Sequence, residues 1–245
     1  MQMYQSLAKW WPLLAPVEAY EPESLVYSSL IKNNISDWGS VLELGCGGGY
    51  LLSHFPKHIE KVLVDESEEM LTLSREVNPG ATHLRADMRQ LDLGRTFDVV
   101  LIQDAIMYMN TRTDVEAVLR TAAVHCREGG VILLVPDVTT ESFFEGNTLL
   151  AGSDGETSAV RLMEWHWDPD PSDERYTVEF SFLLRENGVV ESHHESHVMG
   201  LFSLGDWQTM LEAAGFQLLE VEIPPGVETG HVFLARKLGD LMPKS

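Results

Sequence analysis

Five short apolar runs punctuate the first 137 residues, and helix-patterned segments separate them. The runs are SVLELG (40–45), KVLVD (61–65), THLRAD (82–87), FDVVLIQD (97–104) and GVILLVPD (130–137). Most are rich in leucine or β-branched residues, the composition of strands buried on both faces of a parallel sheet. SEEMLTLSREV (67–77) reads as a helix, with Ser67 as N-cap and Glu68 and Glu69 in its first turn. DVEAVLRTAAVHC (114–126) is a second helix; it opens after Asn110 and Thr111 and is expected to stop before Gly129-Gly130. Strand–helix–strand alternation requires right-handed crossovers, so the pattern predicts an α/β fold with a doubly wound sheet.

After Asp137 the pattern changes. Residues 138–175 are polar and turn-rich, TVEFSFLL (177–184) alternates, and VVESHHESHVMGLF (189–202) runs back. Asn187-Gly188 between two strand-like runs is the strongest short-range hairpin signal. A two-residue turn there sets Val178 opposite His197, Phe180 opposite Glu195 and Phe182 opposite His193. Paired residues share a sheet face, so this histidine-rich stretch divides. His193, Glu195 and His197 lie with the phenylalanines, and His194 lies with Ser192 and Ser196 on the other side. A one-residue slip would reverse every assignment. A helix over 204–216 and strands near 217–223 and 231–236 close the chain. The parse is a single domain over 1–245. It has an N-terminal segment (1–35), a core (36–137), an antiparallel insertion after the fifth strand (138–202) and a closing helix and strands (203–245).

Charge narrows the function. Thirty-eight acidic residues against 17 basic ones give a net charge of −21, which repels nucleic acid and anionic membranes alike. Two cysteines, Cys46 and Cys126, form neither a disulfide framework nor a zinc spacing and suit a reducing cytoplasm. Trp10–Val17 is short and broken by Pro12 and Pro16, so neither a signal peptide nor a membrane span is expected there.

VLELGCGGGY places Gly45, Gly47 and Gly49 at the end of the first strand, where backbone N–H groups can approach a ligand. In open α/β sheets ligands bind beyond the strand C-termini at the switch point. A dinucleotide fingerprint ends in glycine or another small residue; here Tyr50 takes that place, against an NAD-dependent oxidoreductase. The spacing is G-x-G-x-G, preceded by Glu43. ELGCGGG, Asp65, ADM (86–88) and FDVVLIQDAIMYM (97–109), in that order, resemble the motifs of class I S-adenosylmethionine-dependent methyltransferases of the small-molecule type.

That resemblance implies a seven-stranded Rossmann-like sheet with an antiparallel flap after the fifth strand. It implies S-adenosylmethionine as cofactor and S-adenosylhomocysteine as product. The cofactor site would comprise Glu43, Gly45, Gly47, Gly49, Asp65, Glu66, Met70, Asp87, Met88 and Gln103. Asp65 would hold both ribose hydroxyls, since a carboxylate can accept two O–H bonds. Met70 would pack on adenine, Asp87 would accept from its amino group, Met88 N–H would meet a ring nitrogen, and Gln103 would lie beside the methionyl ammonium.

Methyl transfer needs alignment and water exclusion first, and a base only where the nucleophile carries an excess proton. Candidates for catalysis are Tyr4, Asp104, Tyr108 and His197, and for substrate contact Trp11, His193 and Glu195. The N-terminal segment resembles a lid that closes over the cofactor. The flap and the closing segments resemble, loosely, amino-sugar N-methyltransferases. Alternate residues of a straight strand are roughly 6.5–7 Å apart and converge poorly on one ion, so no metal is expected. For His193 and His197 a role as substrate contact or base and a packing role both stand. The expected partner is a small-molecule methyl acceptor, an amine ahead of a hydroxyl, with a homodimer as one possible assembly. A cofactor-binding module without catalysis is the other class of reading.

Overall fold

The computed structural model describes residues 1–222 and 230–239. Five parallel strands, β1 (Ser40–Leu44), β2 (Glu60–Asp65), β3 (Thr82–Arg85), β4 (Phe97–Gln103) and β5 (Cys126–Val135), coincide with the five apolar runs. The insertion contributes β6 (Thr148–Ala151), β7 (Ser158–Trp167), β8 (Arg175–Glu186) and β9 (Val189–Gly200). The closing strands are β10 (Phe216–Glu222) and β11 (Val232–Lys237); Ile223, included in the predicted strand, lies outside the described residues. The main sheet has seven strands in the order β10-β11-β5-β4-β1-β2-β3, with β11 antiparallel to both neighbours. This is the α/β sheet expected from the sequence. Its strand order reverses between β1 and β4, which fixes where a ligand cleft can form.

Both faces of the sheet are covered, so its strands alternate apolar with apolar. Leu42, Leu44, Val100, Ile102, Ile132 and Leu134 pack with helix α5 (Arg112–His125) and the inner face of the insertion. Val41, Leu63, Val99, Leu101 and Leu133 pack on the other side. There they meet Tyr27 and Ile31 of α2 (Glu21–Asn34) and Leu51 and Leu52 of the single turn α3 (Tyr50–Ser53). Another single turn, α1 (Trp11–Leu14), precedes them. Helix α4 (Glu68–Val77) starts where its cap predicts, with Met70 N–H donating to Ser67 Oγ at 3.1 Å. α6 (Leu204–Ala213) opens on a capping box between Ser203 and Asp206.

Two boundaries differ from expectation. α5 stops at His125, and Gly129-Gly130 lie inside β5 instead of ending the helix. A Cβ at Gly130 would lie 2.7 Å from the Asp98 carbonyl oxygen, so this glycine serves the close approach of β4. The second difference is the insertion, which is a four-stranded antiparallel sheet, β6-β7-β8-β9, where a turn-rich region led into one hairpin on paper. β7 escaped notice because its inward positions pass from Val160 and Leu162 to Glu164 and His166, breaking the apolar alternation.

The hairpin itself follows the predicted register. Asn187 and Gly188 have φ of 51° and 82°, as a primed two-residue turn needs. Val178 pairs with His197, Phe180 with Glu195 and Phe182 with His193. The phenylalanine face is turned inward onto the main core, and His194 on the opposite face is exposed.

Candidate active site

A cavity of about 770 Å³ opens over the ends of β1 and β4, walled by the N-terminal segment and the inner face of β7 and β8. Its floor is the glycine loop. A Cβ at Gly49 would sit 2.1 Å from Ser74 Oγ, and one at Gly45 would sit 2.3 Å from Ala105 Cβ. Those two glycines permit packing. Gly47 differs: its Cβ direction meets only Met70 Cε at 3.5 Å, so its backbone faces the cavity.

Asp65 organises this floor. Its Oδ2 accepts from Gly47 N–H at 2.8 Å and its Oδ1 from Ser67 N–H at 2.8 Å. Burial pushes the Asp65 carboxyl up, and the backbone donors pull it back. Each oxygen keeps capacity for one more hydrogen bond. Glu43, beside it on β1, is 3% exposed, and its Oε2 has no hydrogen-bond partner among the described residues. Burial, reinforced by the Asp65 charge against the opposing pull of Lys61, raises its carboxyl to about 8. Buried acids with open oxygens are satisfied by a cation or a donor. Met70 and Met88 are buried in the wall, and Glu66 lines the rim. Gln103 Nε2 donates to Glu23 Oε2 at 3.0 Å. Asp87 faces the cavity while paired with Arg89 (2.7 Å), which also holds Asp114 (3.0 Å) and keeps the Asp87 carboxyl low.

Three of the four residues predicted for catalysis join in one chain. Tyr4 Oη meets Tyr108 Oη at 2.8 Å, and Tyr108 Oη meets His197 Nδ1 at 2.9 Å. His197 Nε2 then meets Glu195 Oε2 at 3.1 Å. Glu195 also accepts from the N–H groups of Gln2 (3.0 Å) and Met3 (2.7 Å), while Ser67 Oγ donates to the Tyr4 carbonyl. The N-terminal segment is therefore fastened to the insertion, through Glu195, Glu186 and Ser153, and to the cap of α4 through Ser67. Tyr4 and Tyr108 line the cavity, and Trp11 lines it too, 5.7 Å from Tyr4 between ring centres. His197 stands behind Tyr108, buried against Phe180. His193 is partly exposed beside Glu191 and away from the cavity lining.

Against known proteins, a family model for a methyltransferase domain matches residues 41–130. A dTDP-3-amino-3,4,6-trideoxy-α-D-glucopyranose N,N-dimethyltransferase from Streptomyces venezuelae is 29% identical over 84% of this chain and 87% of its own. A dTDP-3-amino-3,6-dideoxy-α-D-glucopyranose N,N-dimethyltransferase from Streptomyces fradiae is 28% identical, over 86% and 82%. The crystal structure of DesVI from Streptomyces venezuelae superposes with a TM-score of 0.80 at 25% identity, covering 89% of this chain and 92% of that one. A methyltransferase domain therefore occupies residues 41–130 of this chain.

The methyltransferase carries further cavity residues that the sequence did not single out. Asp104, predicted, follows β4 with φ of 46°, a conformation that costs a non-glycine residue about 1–3 kcal/mol and persists where the surroundings enforce it. Its carboxyl is within hydrogen-bonding reach of Asp137, just past β5. Glu164 Oε1 meets His166 Nε2 at 2.6 Å, and both residues line the cavity with Tyr176. Asp137 ended a predicted strand one position from the parallel strand bearing Asp104, the one signal that could have found it. Glu164 and His166 lay on a strand that the sequence concealed.

The fastening of the N-terminal segment is testable. In the methyltransferase, Glu195→Ala removes the acceptor of two backbone N–H groups and one histidine bond. Trypsin is expected to cut after Lys9 at least tenfold faster, with the global melting temperature lowered by less than about 5 °C. Cleavage at the wild-type rate would show that Glu195 does not hold the segment.

Proposed function

We propose that this methyltransferase moves a methyl group from S-adenosylmethionine to the nitrogen of a small-molecule amine. The first class to test is the nucleotide-linked amino sugars on which its named relatives act. The observation that carries the reading is the charge of the cavity. Glu43, Asp65, Glu66, Asp87, Asp104, Asp137 and Glu164 line it, against Arg89 and His166 as the basic side chains among the described residues. Such a lining suits a sulfonium and an amine, both cationic.

The residues fit the cofactor. Gly47 leaves backbone open to the cavity, Asp65 keeps acceptor capacity for the ribose, and the unpartnered oxygen of Glu43 suits the methionyl end. Met70 supplies an apolar surface for adenine, and Asp87 and the Met88 N–H supply its polar edge. S-adenosylmethionine contributes a methyl carbon already activated by its sulfonium. What remains for the chain is to align the acceptor nitrogen and exclude water, which is worth roughly 7–11 kcal/mol at best. The fastened lid excludes water. Tyr4 and Tyr108 present hydroxyls on the acceptor side, and His197 with Glu195 fixes their direction as positioning residues.

Thermal unfolding tests the cofactor. S-adenosylmethionine or S-adenosylhomocysteine at 100 times its Kd adds about 2.7 kcal/mol, a rise of roughly 5–10 °C for a chain of this size, and NAD adds none. Indifference to both sulfur nucleosides would overturn the assignment.

A further inference from the structure

Asp104 and Asp137 are two of the cavity carboxylates that the cofactor reading leaves without a task. They close adjacent parallel strands: Gln103 is in register with Val135, and Asp104 N–H donates to the Val135 carbonyl at 2.9 Å. Asp104 sits on a strained backbone with φ of 46°, and its buried Oδ1 has no partner among the described residues. Both face the same cavity as Tyr4, Tyr108 and Tyr176. We propose that the Asp104–Asp137 pair receives the acceptor as its ammonium ion and takes its proton, so that the pair selects an amine over a hydroxyl. The inference rests on the methyl-transfer reading above and specifies the acceptor end of that site.

Two carboxyls in contact cannot both ionise cheaply; with one proton between them they carry one negative charge. That charge matches one ammonium. An N–H bond of the ammonium breaks, an O–H bond forms on the ionised carboxylate, and the electron pair stays on nitrogen as the nucleophile's lone pair. Glu164, paired with His166 on β7, lies beside Asp137 and offers the proton its next stop. A hydroxyl acceptor brings no charge to the pair, so the pair gains nothing by binding it.

The electrostatic surroundings agree. Burial raises Asp104 well above the usual carboxylate range, and the charges of Asp137, Glu23 (on α2) and Glu43 (on β1) raise it further. Burial raises Asp137 as well; Glu164 and Glu23 add to this, while His166 and its bond to Asp104 oppose it. The phenols of Tyr4, Tyr108 and Tyr176, also pushed up by burial, stay neutral beside the pair. A carboxyl raised in the folded state binds its proton there first. Its stabilising contribution is present at low pH and is lost as pH rises through the raised folded value.

Asp137→Asn tests the pair in two ways. With S-adenosylhomocysteine bound, calorimetry compares dTDP-3-amino-3,6-dideoxy-α-D-glucopyranose with its 3-hydroxy counterpart. The wild type is expected to prefer the amine at least tenfold, and the variant less than threefold. In ligand-free protein the variant relieves like-charge repulsion, so its melting temperature should exceed wild type by about 2–4 °C at pH 8, a gap that closes toward pH 5. Equal wild-type affinity for the two sugars, or an undiminished preference in the variant, overturns the pair's role. A variant less stable than wild type at pH 8 also overturns it, because the two aspartates would then be a structural bond. If neither nucleotide binds, the amino-sugar reading fails separately, and the pair stands or falls on the pH dependence of melting.

Discussion

Asp65→Ala is expected to weaken binding of S-adenosylmethionine and S-adenosylhomocysteine by about 10²–10⁴-fold while the protein stays folded. A hydrogen bond to an ionised group contributes about 1.5–3 kcal/mol, and the ribose would place two on this carboxylate. The loss is compounded because Asp65 also holds the N–H groups of Gly47 and Ser67, the two ends of the cleft floor. Without it the glycine loop loses the anchor that presents its backbone to the ligand. The fold survives, since both released donors border the cavity, where water can replace the carboxylate. Asp65→Asn should fall between, because its amide nitrogen cannot accept. Calorimetry reads the result directly, and affinity within threefold of wild type would put the ribose elsewhere.

Gly49→Ala is expected to destabilise the fold strongly. Its Cβ would meet Ser74 Oγ at 2.1 Å, Asn78 Nδ2 at 2.8 Å and Leu63 Cδ2 at 2.9 Å, and its φ of +65° is disfavoured for any side chain. The Asn78 amide that donates to the Gly49 carbonyl at 2.8 Å would be displaced with it. Left-handed backbone costs about 1–2 kcal/mol and overpacking about 1–3 more. Together these predict a melting temperature lower by roughly 5–15 °C. Gly47→Ala shares the left-handed cost at φ of +51° but not the overpacking, so it should lower it by roughly 2–8 °C and also obstruct the cofactor. Thermal unfolding of the two variants side by side checks the contrast; the reverse order would mean that the loop is oriented the other way.

How much of this was legible beforehand depended on whether a feature was local. The five core strands announced themselves because strands covered on both faces are apolar throughout, and the glycine spacing with Asp65 located the cavity floor. The hairpin register followed from Asn187-Gly188 alone, and it brought His197 to the inner face where Tyr108 now meets it. Its role was legible only in part, since whether His197 lines the cavity or supports a tyrosine depends on packing between elements far apart in sequence. Glu195 is similar: the register placed its face, but its bonds to Gln2 and Met3 join residues 193 and 192 apart in sequence. β7 was concealed by the residues that give it chemical interest, because Glu164 and His166 occupy positions where a strand of this kind would ordinarily be apolar. Asp137 had no local mark. Its meaning comes from the parallel pairing of β5 with β4, which sets it against Asp104.

Methyl transfer to a defined amine tests the account most directly. The protein would be incubated with S-adenosylmethionine labelled in its methyl group and with dTDP-3-amino-3,6-dideoxy-α-D-glucopyranose, its 3-hydroxy counterpart, and a panel of primary amines. Mass spectrometry then locates the label. The prediction is one or two methyl groups on nitrogen, S-adenosylhomocysteine formed in equal amount, and no label on the hydroxy sugar. Label on a hydroxyl oxygen, or on none of the amines, would contradict it.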